Sequence, residues 1–107
     1  MRTQRPRARR YEFSATIELT DVQTGEQSKE RTTNVSLYGC RVATSKPFST
    51  GTKIRIRITH KGETLTALGT VAYTEANGEM GIGFTNVEVK DQLILEKWVA
   101  ELRTLHQ

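Results

Sequence analysis

The chain has 107 residues, 36% of them hydrophobic and 26% charged, with a formal net charge of +4. This composition supports one soluble globular domain with a modest core, and it excludes a disordered chain or two independent domains. No apolar run approaches the roughly 20 residues of a membrane span, and the basic N-terminus lacks the apolar stretch of a secretory signal.

Charge is concentrated at one end. Residues 1–10 hold five of the 16 basic residues (Arg2, Arg5, Arg7, Arg9 and Arg10) and no acid, which leaves 11 bases against 12 acids in the remainder. The expected organisation is therefore an Arg-rich arm over 1–10 and a nearly neutral domain over 11–107. Arginine in place of lysine favours planar, bidentate partners such as phosphate or guanine. A solvated basic tail is the other reading of such a run.

Period-two alternation over 11–21 predicts a half-buried strand, with Tyr11, Phe13, Ala15, Ile17 and Leu19 on the core face. Gly25 marks a turn, and the Thr-rich stretch 28–36 reads as a second strand. Asn34, Ser36 and Gly39 form a turn before a short strand that Pro47 breaks, and Gly51 opens a further bend. Residues 52–62 are the clearest strand, with Ile54, Ile56 and Ile58 inward and Lys53, Arg55 and Arg57 outward. A long strand over 63–76 runs to Asn77-Gly78, a tight-hairpin signal, and 79–87 returns as the next. The two glycines of Gly81-Ile82-Gly83-Phe84 predict a barrel bend or a close backbone approach. From about residue 88 to 105 the period changes. Leu95, Trp98, Val99, Leu102 and Leu105 recur at three and four residues, as on one face of a helix. Six short strands followed by a helix read as a small antiparallel barrel with a helix on one side.

No catalytic constellation stands out. His60 and His106 have no second ligand at metal spacing, the carboxylates look scattered over solvent faces, and no phosphate-binding glycine loop is present. Trp98 reads as core. Cys40 is the single cysteine and can form no internal disulfide, which fits a small buried residue in a reducing cytoplasm. That setting removes the glycosylation reading of Asn34-Val35-Ser36. The chain reads as a non-enzyme.

Two motifs in order carry a resemblance. Arg5-Pro6-Arg7-Ala8-Arg9 is an R-x-x-x-R element just before the first strand, and Asn34-Val35-Ser36-Leu37-Tyr38-Gly39 is an Asn-x-Ser-x-x-Gly element between two later strands. Together they resemble the signature of the PilZ domain family, and the likeness extends over almost the whole chain, including the strand at 81–84 and the C-terminal helix. The resemblance implies a mainly β fold, a six-stranded antiparallel β-barrel with a C-terminal α-helix. It also implies a receptor for the second messenger cyclic di-GMP, bound as a ligand with no cofactor or metal, that relays its level to a partner protein.

By the same resemblance, Arg5 and Arg9 would grip guanine and phosphate, while Asn34, Ser36 and Gly39 would hold another guanine at the barrel. The register of the arm leaves two arrangements. In the family the second arginine usually directly precedes the first strand, and here Arg10 holds that place. Either Arg5 and Arg9 act with one extra residue before the strand, or Arg10 takes the second role with Arg5 or Arg7. Arg7 and Arg41 are further candidates. Gln4, in place of another arginine before the motif, implies one ligand molecule per chain. Tyr38 reads as a turn tyrosine covering the barrel end. The chemistry agrees, since guanine's O6 and N7 are paired acceptors that an arginine fork matches, and an asparagine amide can pair with a base edge. Two other readings are a PilZ-like protein-interaction adaptor and a small basic barrel for RNA or single-stranded DNA. The scarcity of exposed aromatics disfavours the second of these.

Overall fold

The computed structural model describes residues 9–105. Seven strands precede one helix: β1 (Tyr11–Glu12), β2 (Thr16–Asp21), β3 (Gln27–Val35), β4 (Gly39–Ala43), β5 (Lys53–His60), β6 (Glu63–Thr74), β7 (Glu79–Asn86) and α1 (Val89–Leu105). Every strand pair is antiparallel, in the order β1-β3-β2-β5-β6-β7-β4, and a β3–β4 pairing closes the ring. β2 to β7 are therefore the six staves of a closed barrel, the expected fold class, and β1 extends the wall beside β3. Closure leaves few sheet edges to protect.

The strand expected over 11–21 is interrupted. Tyr11 pairs with Val35 and Thr16 with Arg31, so the β1–β2 side carries one residue more than β3. Thr32 holds this bulge together: its hydroxyl donates to the Phe13 carbonyl at 2.5 Å and accepts the Ala15 N–H at 2.9 Å. The alternation survives, because Tyr11, Phe13, Ala15, Ile17 and Leu19 are all buried. They meet Ile54, Ile56 and Ile58 of β5, none of which is exposed. Each of the leucine, isoleucine and phenylalanine side chains contributes roughly 1.5–3 kcal/mol on burial.

The two connections around β6 differ. Lys61-Gly62 joins β5 to β6 with φ of 51° and 80°, the two-residue turn whose twist suits a hairpin. Asn77-Gly78 predicted the same but sits in a longer loop. Glu75 N donates to Glu79 O at 2.8 Å, and Thr44 N donates to Gly78 O at 2.7 Å, docking the loop on the chain that leaves β4.

The helix packs against β6 and β1 through buried Leu95, Trp98 and Val99, with Leu102 partly covered. Leu105, expected on that face, is 75% exposed, because the last turn runs past the barrel wall. The rings of Phe13, His60 and Trp98 cluster with centroids 4.6–5.5 Å apart. Burial pushes the His60 imidazole below its ordinary pKa, and Lys61 adds to the shift.

Asp91 corrects the expectation that the carboxylates lie on solvent faces. It is 2% exposed, and Oδ1 accepts the Thr66 N–H at 2.9 Å. β6 starts at Glu63, yet its pairing with β7 starts only at Leu68, so Thr66 takes its acceptor from α1.

Candidate functional site

The turn between β3 and β4 is built by its own side chains. Ser36 Oγ accepts the Tyr38 N–H at 3.1 Å, Ser36 N donates to Gly39 O at 2.8 Å, and Phe84 N donates to Tyr38 O at 2.9 Å. The Ser36 hydroxyl, 3.5 Å from Gly39 O, is thus turned into the loop, and the residue is buried. Gly39 is sterically required. A Cβ there would stand 2.1 Å from the carbonyl oxygen of Ile82, so only glycine lets β4 approach β7 this closely.

Two bulges flank this turn. Between its pairings with β4 on either side of Thr33, β3 gains one residue, and β6 gains one at Ala72 opposite β7. Bulges of this kind bend strands and re-aim side chains. The outer wall of β4, β7 and β6 is also stripped by Gly81 and Gly83. The result is a concavity of about 150 Å³ lined by Arg10, Asn34, Ser36, Tyr38, Gly39, Arg41, Tyr73 and the two glycines, among others.

Arg41 and Tyr73 reach across Gly81, which pairs with both of them. Arg41 Nε donates to Tyr73 Oη at 2.8 Å, and Arg41 Nη1 lies 3.5 Å from Glu79 Oε1. The Tyr73 ring fills the space above Gly81, where a Cβ would fall 2.1 Å from ring carbon Cε2. The hydrogen bond to Tyr73 raises the Arg41 pKa above its ordinary value; burial opposes this, and the attraction of Tyr73, Glu79 and Glu75 adds to the rise. The guanidinium is therefore a fixed cation in the wall of the concavity.

The sequence candidates are placed as follows. Asn34, Ser36, Gly39, Arg41 and Arg10 share the concavity. Arg9 does not line it, and its guanidinium stacks over the Tyr11 ring at 5.4 Å from the centroid. Arg5 and Arg7 lie outside the described residues, as does His106. Asn34 Oδ1 accepts the Thr33 hydroxyl at 2.9 Å, which leaves its NH₂ to donate elsewhere. Tyr38 does not cover a barrel end: it is 56% exposed at the rim of the concavity, because its backbone, not its ring, makes the bonds of the turn. Tyr73 was not foreseen. It sits in an ordinary alternating strand, and the only signal was Gly81 on a facing strand, which needs the register to be read. No group of acidic, histidine or cysteine side chains among the described residues is placed to hold a metal. Cys40 lies buried below the concavity with its thiol pushed up to about 12, unreactive at neutral pH.

No curated protein matches the chain by sequence. Among solved structures, the chain is similar to the Bacillus subtilis inhibitor of motility MotI/DgrA, with a TM-score of 0.74 and 17% identity over 100% of this chain. It spans only 55% of that protein's chain. It is also similar to the PilZ domain of Escherichia coli YcgR with c-di-GMP (TM-score 0.72, 15% identity, 96% of this chain and 95% of that one). A third is the PilZ domain of CeSA from a cellulose-synthesizing bacterium (TM-score 0.70, 19% identity, 94% and 100%). At these identities the likeness is one of fold. The family description "PilZ domain" matches residues 2–101, nearly the whole sequence, and the chain belongs to the PilZ domain family.

Proposed function

We propose that this PilZ domain is a non-enzymatic receptor for cyclic di-GMP and that the ligand sits on the concavity outside β4, β6 and β7. The observation that carries the reading is the meeting of Arg10 with Asn34, Ser36 and Gly39 around one concavity, although the arm and the turn are distant in sequence. Further support comes from the PilZ fold shared with a YcgR domain solved with c-di-GMP.

In this reading the Asn34 amide donates to guanine O6 or N7, and the Tyr73 ring and the fixed Arg41 cation border the base. Arg10 supplies positive charge for a phosphate. Ser36 and Gly39 act through the turn: one organises it, and the other lets β4 and β7 close up so that the rim has its shape. The concavity is smaller than the roughly 300–1,000 Å³ of pockets that enclose a drug-sized ligand. A cyclic dinucleotide therefore extends beyond it, and three other arginines of the arm, Arg5, Arg7 and Arg9, are the groups to cover the exposed part. The arm leads through Tyr11 to Phe13, whose ring packs 5.5 Å from that of Trp98 in α1. Ligand capture by the arm thus has a packed route to the helix, and a change at the helix is what a downstream protein would meet.

Titration calorimetry with cyclic di-GMP tests the reading. The expected result is saturable binding that Arg10→Ala and Asn34→Ala each weaken by about tenfold to a hundredfold. Absence of binding at ligand concentrations on the order of tens of micromolar, or binding untouched by both substitutions, overturns it.

A further inference from the structure

The wall across the barrel from this concavity carries a second feature. β2, β3, β5 and the start of β6, together with the first turn of α1, frame an open groove of about 820 Å³. Exposed Lys29, Arg55, Arg57 and Lys90 line it, with Thr20, Thr64 and Thr66 between them. Two acids are present. Glu18 stands between Lys29 and Arg57 in the strand register and lies 3.9 Å from Arg57. Asp91 is buried and held by Thr66 N–H. Among the described residues, no ion pair engages Lys29, Arg55 or Lys90. Outside the arm the sequence holds one more acid than base, so this excess of cations on one wall is local.

The geometry points to this groove as a docking surface for an acidic segment of a partner protein, separate from the nucleotide site. Arg55 and Arg57 are alternate residues on one face of β5, about 7 Å apart. That spacing matches alternate carboxylates of an extended chain, or carboxylates one turn apart on a helix. Threonine hydroxyls between the cations donate to the same acceptors.

Two features disfavour nucleic acid here. Among the described residues Tyr38 is the one exposed aromatic, and it lies at the other site, so the groove offers bases nothing to stack on. Glu18 in its middle repels a continuous phosphate backbone, whereas a protein segment can place a lysine or a gap opposite it.

Fluorescence anisotropy on the full chain, with a labelled oligoglutamate peptide and a charge-matched oligothymidylate as probes, tests the assignment. Arg55→Glu with Arg57→Glu is compared with Lys46→Glu plus Lys61→Glu, which changes net charge equally at exposed lysines outside the groove. The neutral pair R55Q/R57Q covers the case in which reversal beside Glu18 disturbs folding. The expected result is salt-sensitive oligoglutamate binding that both groove pairs weaken about tenfold and that the Lys46/Lys61 pair leaves nearly unchanged. Equal losses in the groove and control pairs, no oligoglutamate binding at low salt, or groove-dependent preference for oligothymidylate each overturn the assignment. Cyclic di-GMP affinity is expected to be the same in the groove variants as in the unaltered chain, which separates this surface from the nucleotide site.

Discussion

Gly39 and Gly83 face each other in the β4–β7 ladder, and adding one methyl group to each has opposite consequences. At Gly39 the new Cβ would lie 2.1 Å from Ile82 O, 3.2 Å from Ile82 C and 3.3 Å from Gly83 Cα, all of them backbone atoms. Backbone cannot swing aside as a side chain can, so relief requires β4 and β7 to separate where Cys40 pairs with Ile82. Overpacking commonly costs 1–3 kcal/mol. A clash against a paired strand belongs at the top of that range, so Gly39→Ala is expected to cost about 3 kcal/mol, a large part of a typical 5–15 kcal/mol. At Gly83 a Cβ meets nothing within 4 Å and the residue does not have positive φ. Gly83→Ala is therefore expected to be neutral or to stabilise by up to about 1 kcal/mol through the unfolded chain, while its methyl enters the concavity. Urea unfolding followed by circular dichroism gives the first quantity, and calorimetry with cyclic di-GMP gives the second. The expected pattern is a strongly lowered midpoint for Gly39→Ala, and an unchanged midpoint with weakened ligand binding for Gly83→Ala. Equal midpoints for the two variants would refute the steric argument.

Three other outcomes are expected. Asp91→Ala removes the buried carboxylate that accepts the Thr66 N–H and is expected to cost about 1–3 kcal/mol in urea unfolding, whereas Asp91→Asn retains an acceptor oxygen and costs less. His60 has a folded pKa below its ordinary 6.5, so the unfolded chain binds the proton more readily. Its contribution to stability is complete above 6.5 and declines as pH falls toward the lowered folded value. His60→Gln is expected to flatten that part of a plot of urea midpoint against pH. Cys40, with its thiol pushed up to about 12, is expected to resist iodoacetamide at pH 8 in the native state and to react once urea unfolds the barrel, as mass spectrometry would show.

Periodicity made the barrel readable without coordinates. Alternation depends only on neighbours along one strand, so Ile54, Ile56, Ile58 and the Tyr11-to-Leu19 face were legible as core, and the change of period after residue 88 marked the helix. The motif residues Asn34, Ser36 and Gly39 were legible because a turn places them together locally. What the sequence could not show is whatever depends on which strands meet. The bulges at residues 13–15 and at Thr33 and Ala72 exist only relative to partner strands, and the last two flank the turn beside the concavity.

Tyr73 acquires a place at the site because closure sets it beside Gly81 and within reach of Arg41, more than 30 residues away in the chain. Asp91 looked like a solvent carboxylate until β6 outran β7 and left Thr66 N–H to be satisfied. By itself the sequence determined the staves, the helix, the charge of the arm and the chemistry of the turn. The tertiary structure decided the ring order, which gathers Lys29, Arg55, Arg57 and Lys90 on one wall, and it set Arg10 at the concavity on the other while Arg9 stacks over Tyr11. Long-range register does this because a barrel must satisfy every strand's hydrogen bonds at once, a condition that no single stretch of sequence contains.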